Sequence, residues 1–457
     1  MPESEINQPE YNQDKENVGV TASQPAQGIY YGWWLVVISG FVMVISTVPL
    51  FHAMSVWAVA LERQFGWTRA QLGFALTFTR IEGGLMGPVE GYLTDRVGTR
   101  RMVFIGLTIL GLGFLFFGQV QNLWMFYMAY VLMAIGQGLG SWIPIMTMLN
   151  HWFSRRRSTA IAWANVGSRG GALLLVPAIA WSIDPDHDRF GWQVTASAIG
   201  VFVLVVAFPV SRLIRNKPQE YGLFPDNEPP DNQPAGTQAR PGAGPSRGVA
   251  STDLTPRQAL RTRAFWCIAF GHGFTSMVIL AIMAHLGLMM EDKGFTLQDT
   301  AWVVIVYLSM AMLFQLLGGY LGDRIPKRFA LFGFTSIQAG AVVLLASASS
   351  LSAFYLFAFI FGIGFGGRNP LTVAIRGDYF GRASFGKILG LSTVPMNLLL
   401  LVAAPLAGYM RDVQGSYTQA FYLLAALNMV GAVLFLMAKR PVLRPEGPMT
   451  VASGASD

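Results

Sequence analysis

From Tyr30 onward, apolar runs follow one another at about 32–65, 71–93, 102–120, 123–149, 158–182 and 192–212, then at about 264–289, 300–321, 329–348, 351–375, 387–410 and 419–438. Crossing a bilayer takes about 20 mostly apolar residues. The pattern therefore predicts an all-α membrane protein with twelve transmembrane helices, six on each side of an interruption at about 213–262. Residues 1–28 are polar, with Glu3, Glu5, Glu10, Asp14, Lys15 and Glu16 and no apolar core, so no secretory signal peptide is expected. The interruption holds Pro229, Pro230, Pro234, Pro241 and Pro245 with Gly236, Gly242 and Gly244, and reads as a flexible linker. Its last part, Thr255 to Leu260 with Pro256 at the first turn, reads as a short surface helix. The expected organisation is a disordered tail over 1–28, a six-helix bundle over 29–214, a linker over 215–262, a second bundle over 263–440 and a tail over 441–457.

Composition sharpens this reading. Of 457 residues 53% are hydrophobic and 12% charged, against about 25% charged in a soluble domain. So few charges exclude a soluble enzyme, a nucleic-acid-binding domain and a disordered chain. The single cysteine, Cys267, can make no intramolecular disulfide. Placing the N-terminus in the cytoplasm puts 24 of the 32 Lys and Arg residues on that face, five (Arg63, Arg69, Arg189, Lys293, Arg411) in outer loops and three within spans. The net charge of +7 is thus mostly a topology signal, with both termini inside.

The two halves repeat. A shift of 228 residues lays Gly91-Tyr92-Leu93-Thr94-Asp95-Arg96 on Gly319-Tyr320-Leu321-Gly322-Asp323-Arg324 and Arg100 on Arg328. It also lays Phe126-Tyr127 on Phe354-Tyr355 and Ile135-Gly136 on Ile363-Gly364. An even number of spans separates the copies, so the repeats are parallel, related by an axis along the membrane normal.

The segment Gly91 to Arg101, with Asp95, Arg96, Gly98 and Arg100, resembles the G-x-L-x-D-R-x-G-R-R/K loop of the major facilitator superfamily between spans two and three. Asp95 and its repeat Asp323 can face a helix N-terminus or an arginine across the bundle interface, a latch in which Arg96, Arg100, Arg101 and Arg324 hold the loops at the lipid surface. A simple positive-inside bias accounts for the arginines but not for the spaced glycines or the aspartates. Tyr31-Gly32-Trp33-Trp34 at the first span and Trp152-Phe153-Ser154-Arg155-Arg156-Arg157-Ser158-Thr159-Ala160 at the fifth are similar to the monocarboxylate transporter and oxalate–formate antiporter branch. Tyr221 to Asp226 and Asp378 to Arg382 also resemble that branch. Two departures stand out. Ala134 occupies the place of an arginine three residues before Gln137-Gly138, and the eighth run, 300–321, has no charged residue where the branch places a substrate arginine.

Charges within the apolar runs are the candidate site. An ionisable group at mid-bilayer costs about 2.5–3.5 kcal/mol on insertion scales, so Arg80, Glu82 and Glu90 in span two, Arg169 in span five and Arg368 in span ten must face a cavity or a partner. The resemblance implies that all three host spans line the central cavity. By helix rise Arg80 lies roughly 22 Å from Asp95 and Arg169 roughly 18 Å from Arg157, near the midplane. Arg368 lies about 12 Å from Arg376, in Gly364-Phe365-Gly366-Gly367-Arg368-Asn369-Pro370, where a broken helix is expected to free backbone groups and bring Asn369 to a ligand. Arginine forks suit carboxylates. Arg80 and Glu82, two apart, point to nearly opposite sides of their helix. Glu82 reads as a proton carrier or counter-ion, and Glu90 as a gate residue. The resemblance sets His52, after Pro49, near a lysine that handles proton and substrate in animal monocarboxylate carriers. His272 is a second group that titrates near neutrality. For either, a satisfied buried histidine is the plainer reading.

There is no phosphate-binding Gly-rich loop with Lys-Ser/Thr, no His/Cys spacing for a metal and no Gly-x-Ser-x-Gly elbow. Neither catalytic residues, metal nor cofactor are expected. The expectation is a secondary carrier of the inner or plasma membrane, working as a monomer by rocking two halves about a midplane site. Its partners are a small organic anion, protons as the coupling ion and the lipid bilayer, with no nucleic acid. A multidrug–proton antiporter or a transporter-like membrane sensor are the rival readings.

Overall fold

The computed structural model describes residues 29–183, 190–228 and 253–441. The first crossing is made of α1 (Tyr31–Thr47), a π-helical turn (Val48–His52) and α2 (Met54–Phe65). Pro49 has no N–H and its ring crowds the preceding turn, so the helix widens there. The freed backbone oxygens are not left bare. Trp57 Nε1–H donates to the Pro49 carbonyl at 2.8 Å and the Tyr130 hydroxyl to the Leu50 carbonyl at 2.6 Å.

The first half continues with α3 (Arg69–Val97), α4 (Thr99–Phe117), α5 (Leu123–Gly140), α6 (Trp142–Trp152), α7 (Arg157–Ile183) and α8 (Gly191–Leu213). A break at Ser141 separates α5 from α6, which together make one crossing. The second half holds the short α9 (Pro256–Leu260), then α10 (Arg263–Glu291), α11 (Leu297–Gly322), α12 (Lys327–Ser347), α13 (Leu351–Phe380), α14 (Phe385–Gln414) and α15 (Thr418–Met437). The capping box of Thr255 and Gln258 starts α9, as its sequence suggests.

Among the described residues, eleven helical stretches are long and apolar enough to cross a membrane. With 29 residues α3 has the length of the twelfth. It is less apolar because Arg69, Arg80, Glu82, Glu90, Asp95 and Arg96 all lie on it. The tail expected over 1–28, residues 229–252 of the linker and 442–457 of the tail expected over 441–457 lie outside the described residues.

Trp57, Phe114, Phe126, Tyr130 and Trp152 are buried in a core shared by α1–α8. Val373, Ala374, Phe385 and Leu389 of the second half enter the same core, so the halves interlock. Helices α10–α15 enclose cores around Phe354, Phe357 and Phe361 and around Phe265, Leu371 and Ile375.

Two expectations need correction. The segment around Pro370 does not break: α13 runs unbroken to Phe380. Its glycines serve close packing instead, and a Cβ on Gly366 would stand 2.2 Å from the Ala311 carbonyl of α11. The longer helix also carries Arg376, assigned by its sequence to a basic loop, into the interior, where it is wholly buried.

Candidate functional site

The basic ends of the helices meet first. Asp95, near the end of α3, accepts backbone N–H bonds from Gly386 and Lys387 at the start of α14, both at 3.0 Å. Asp323, just past α11, accepts from Ser158 and Thr159 at the start of α7, at 2.9 and 3.0 Å, and from the Thr159 hydroxyl at 2.7 Å. The 228-residue shift carries one contact onto the other: 95 to 323, 158 to 386 and 159 to 387. Each carboxylate meets the positive end of a helix in the opposite half. Small residues allow it, since a Cβ on Gly91 would lie 2.1 Å from the Gly386 carbonyl and one on Gly390 would lie 2.0 Å from that of Gly87.

Around this contact, Arg157 joins the halves through Asp378 at 2.5 Å, and Lys327 reaches the same carboxylate at 2.5 Å. Arg96 donates to the Tyr92 hydroxyl, and Arg324 lies 3.5 Å over the Tyr320 ring, again at corresponding positions. Gly98 has φ +89°, and Asn216 Oδ1 accepts from the Arg100 backbone N–H at 2.9 Å. Arg101 is exposed and Glu90 is buried. In this conformation the protein is closed at its basic face.

Arg169 stands farther along α7. Its guanidinium lies 5.0 Å from the centroid of Phe365 on α13, across the interface between halves. Its Nη1 is buried and has no hydrogen-bond partner among the described residues. It is close enough to His52 and Tyr307 to interact electrostatically with both. His52 ends the π-helical turn and is exposed. Tyr307 packs edge-on against Phe361, and Phe361 stacks on Phe365, so an aromatic wall backs the arginine.

Arg368 approaches the same ring, at 5.9 Å. Two of the three expected arginines therefore converge on Phe365. Their surroundings differ, because Arg368 turns into its own half. Its Nε donates to Gln338 Oε1 at 2.7 Å and its Nη2 to the Thr275 carbonyl at 3.2 Å. Arg376 is held likewise by Ser392, the Thr372 carbonyl and His272. A guanidinium only donates, so the Nδ1 of His272 accepts at 3.3 Å and its proton sits on Nε2. Asn369 is half-buried beside Arg368, its carbonyl accepting from Thr372. The side chains of Arg80 and Glu82 lie outside the described residues.

Arg376, Gln338 and Phe365 are the neighbours of the candidate site that sequence reading missed. Gln338 and Phe365 carry no charge to draw attention, and Arg376 stood at the boundary of its apolar run.

The Major Facilitator Superfamily model matches residues 32–300 and 265–452. The chain belongs to that superfamily. It is 26% identical over 424 residues to human monocarboxylate transporter 11, covering 90% of this chain and 84% of that one. It is also 26% identical over 275 residues to the probable hexose phosphate transport protein of Chlamydia pneumoniae, covering 58% and 59%. Among solved structures, FucP, a fucose:proton symporter of E. coli, superposes in its outward conformation with a TM-score of 0.65 at 15% identity, covering 90% of this chain and 99% of that one. The superfamily member described here is a multi-pass membrane carrier, not an enzyme, distantly related to the monocarboxylate transporters.

Proposed function

We propose that this superfamily carrier moves a small organic anion, a mono- or dicarboxylate, by alternating access, with proton symport. The observation that carries the reading is Arg169: a half-buried arginine whose Nη1 is buried and has no hydrogen-bond partner among the described residues, beside an aromatic wall and between the two halves. Arginine's planar fork fits a carboxylate, and an unpaired buried charge is costly until an anion completes it. The curated relatives support the charge of the substrate, since one is called a monocarboxylate carrier and the other a hexose phosphate carrier. Phe365 and Tyr307 would cover the apolar part of the substrate, with His52 at the exposed edge and Arg368 fixing Phe365 from behind. The excess of Lys and Arg on the face of the termini supports a cytoplasmic placement of that face in an inner or plasma membrane.

The deciding measurement is uptake of radiolabelled mono- and dicarboxylates into proteoliposomes, with and without an inward proton gradient. Removing one partner of a buried charge pair costs about 2–5 kcal/mol, so Arg169→Gln is expected to lower saturable uptake at least roughly 30-fold. Movement of only cationic or neutral compounds would end the anion reading.

A further inference from the structure

A second cationic site lies on the basic face, away from Arg169. A cavity of about 850 Å³ is lined by Arg157, Lys217, Lys327, Arg382, Arg440 and His151. Two carboxylates, Asp253 and Asp378, face its five Lys and Arg side chains. Both are engaged already. Asp378 takes Arg157 and Lys327, and Asp253 accepts the backbone N–H groups of Arg382 at 2.6 Å and Ala383 at 3.2 Å. Burial, followed by the repulsion of Arg157, holds the Arg382 guanidinium below its ordinary value despite the attraction of Asp226 and Asp253.

The size falls within the ~300–1,000 Å³ of small-molecule sites. Arg157 is twelve residues from Arg169 on α7, about 18 Å by helix rise, so the two sites are separate. The cavity also belongs to one conformation only. Arg157 and Lys217 come from the first half and its exit segment, while Lys327, Arg382 and Arg440 come from the second, and the walls meet only because the latch is closed.

We infer that this cavity binds a phosphate-bearing polyanion and that the bound anion holds the basic face shut. Several acceptor oxygens and two or more negative charges suit a mixed Arg/Lys lining. A ligand that binds the closed state and not the open one shifts the population toward closure by its differential affinity. Occupancy would therefore slow transport, as a brake set from the basic side and independent of the transported substrate. The phosphates could belong to a soluble metabolite or to a lipid headgroup.

The test uses the full-length protein in nanodiscs of neutral lipid, with sodium pyrophosphate as the soluble probe and potassium chloride at equal ionic strength as its control. A parallel arm omits pyrophosphate and adds a phosphoinositide to the nanodisc. A spectroscopic distance between labels on the two halves at the basic face reports closure, and a thermal unfolding scan reports binding. Pyrophosphate or phosphoinositide should raise the unfolding temperature and the closed fraction in the wild type. The variant Lys217→Gln with Arg382→Gln should bind about tenfold or more weakly, while Lys217→Arg with Arg382→Lys should retain the response and so exclude a folding defect. A response in one arm alone identifies the source of the phosphate. Equal responses in wild type and the Gln variant, no response in either arm, or an equal effect of potassium chloride would overturn the proposal. Because the readouts are closure and stability, they stand whether or not a carboxylate proves to be the transported substrate.

Discussion

Arg169, half-buried, and Arg376, wholly buried, have no carboxylate partner among the described residues, yet their surroundings point to opposite roles. Arg376 is engaged through all three of its nitrogens, by Ser392, the Thr372 carbonyl and His272. Taking it away strands several buried polar atoms at about 1–3 kcal/mol each. Arg169 has an unused Nη1 and rests on a ring face. Neutralising it relieves the cost of holding a charge partly out of water. Arg376→Gln is therefore expected to lower the apparent unfolding temperature by several degrees, while Arg169→Gln leaves it unchanged or raises it and loses uptake. Thermal unfolding in detergent, run beside the uptake assay, checks both. An Arg169→Gln protein that unfolds earlier than Arg376→Gln would reverse the two assignments. In the sequence Arg169 and Arg368 look alike, each a lone cation in an apolar run. What separates them is supplied by α10 and α12 from elsewhere along the chain, so no local pattern could distinguish a ligand contact from an internal brace.

At the scale of the helix, two prolines in apolar runs behave differently. Pro49 opens a π-helical turn whose carbonyls are taken by Trp57 and Tyr130, whereas Pro370 sits inside a continuous α13. Neighbouring helices settle such cases by satisfying or packing the freed groups, which is why the expected break at Pro370 was unreadable from composition. The glycines next to it were legible as special, but their use is proximity, not flexibility. The same holds between α3 and α14, where Gly87, Gly91, Gly386 and Gly390 bring the backbones of opposite halves together. A methyl group at Gly390 would stand 2.0 Å from the Gly87 carbonyl, a distance no Cβ tolerates. Gly390→Ala should therefore force these helices apart at the basic face without touching Arg169. Crosslinking of cysteine pairs placed across α3 and α14 should fall in the variant. Unchanged crosslinking would mean that the helices slide rather than separate.

At the scale of the whole molecule, the 228-residue repeat was legible in sequence as aligned motifs, and the structure turns it into a pair of equivalent bonds. Asp95 on Gly386 and Lys387, and Asp323 on Ser158 and Thr159, are one contact made twice about the pseudo-twofold axis. The sequence located the aspartates, while the helix starts they grip became known only when the halves were assembled. Both contacts close the same face, so rocking of one half against the other must break them together. Hydrogen bonds to a charged acceptor contribute about 1.5–3 kcal/mol each, which sets the scale on which each aspartate favours closure. Losing the carboxylate's charge at one site should then lower the closed-to-open ratio by about tenfold, since 1.4 kcal/mol corresponds to that factor. The sites share no partner, so their effects should add in free energy and multiply in ratio. Single-molecule distances across the basic face, in Asp95→Asn, Asp323→Asn and the double variant, would measure this. If either single variant opens the face as far as the double, the two bonds do not act as equivalent halves of one latch, and closure rests on Arg157 and Asp378 instead.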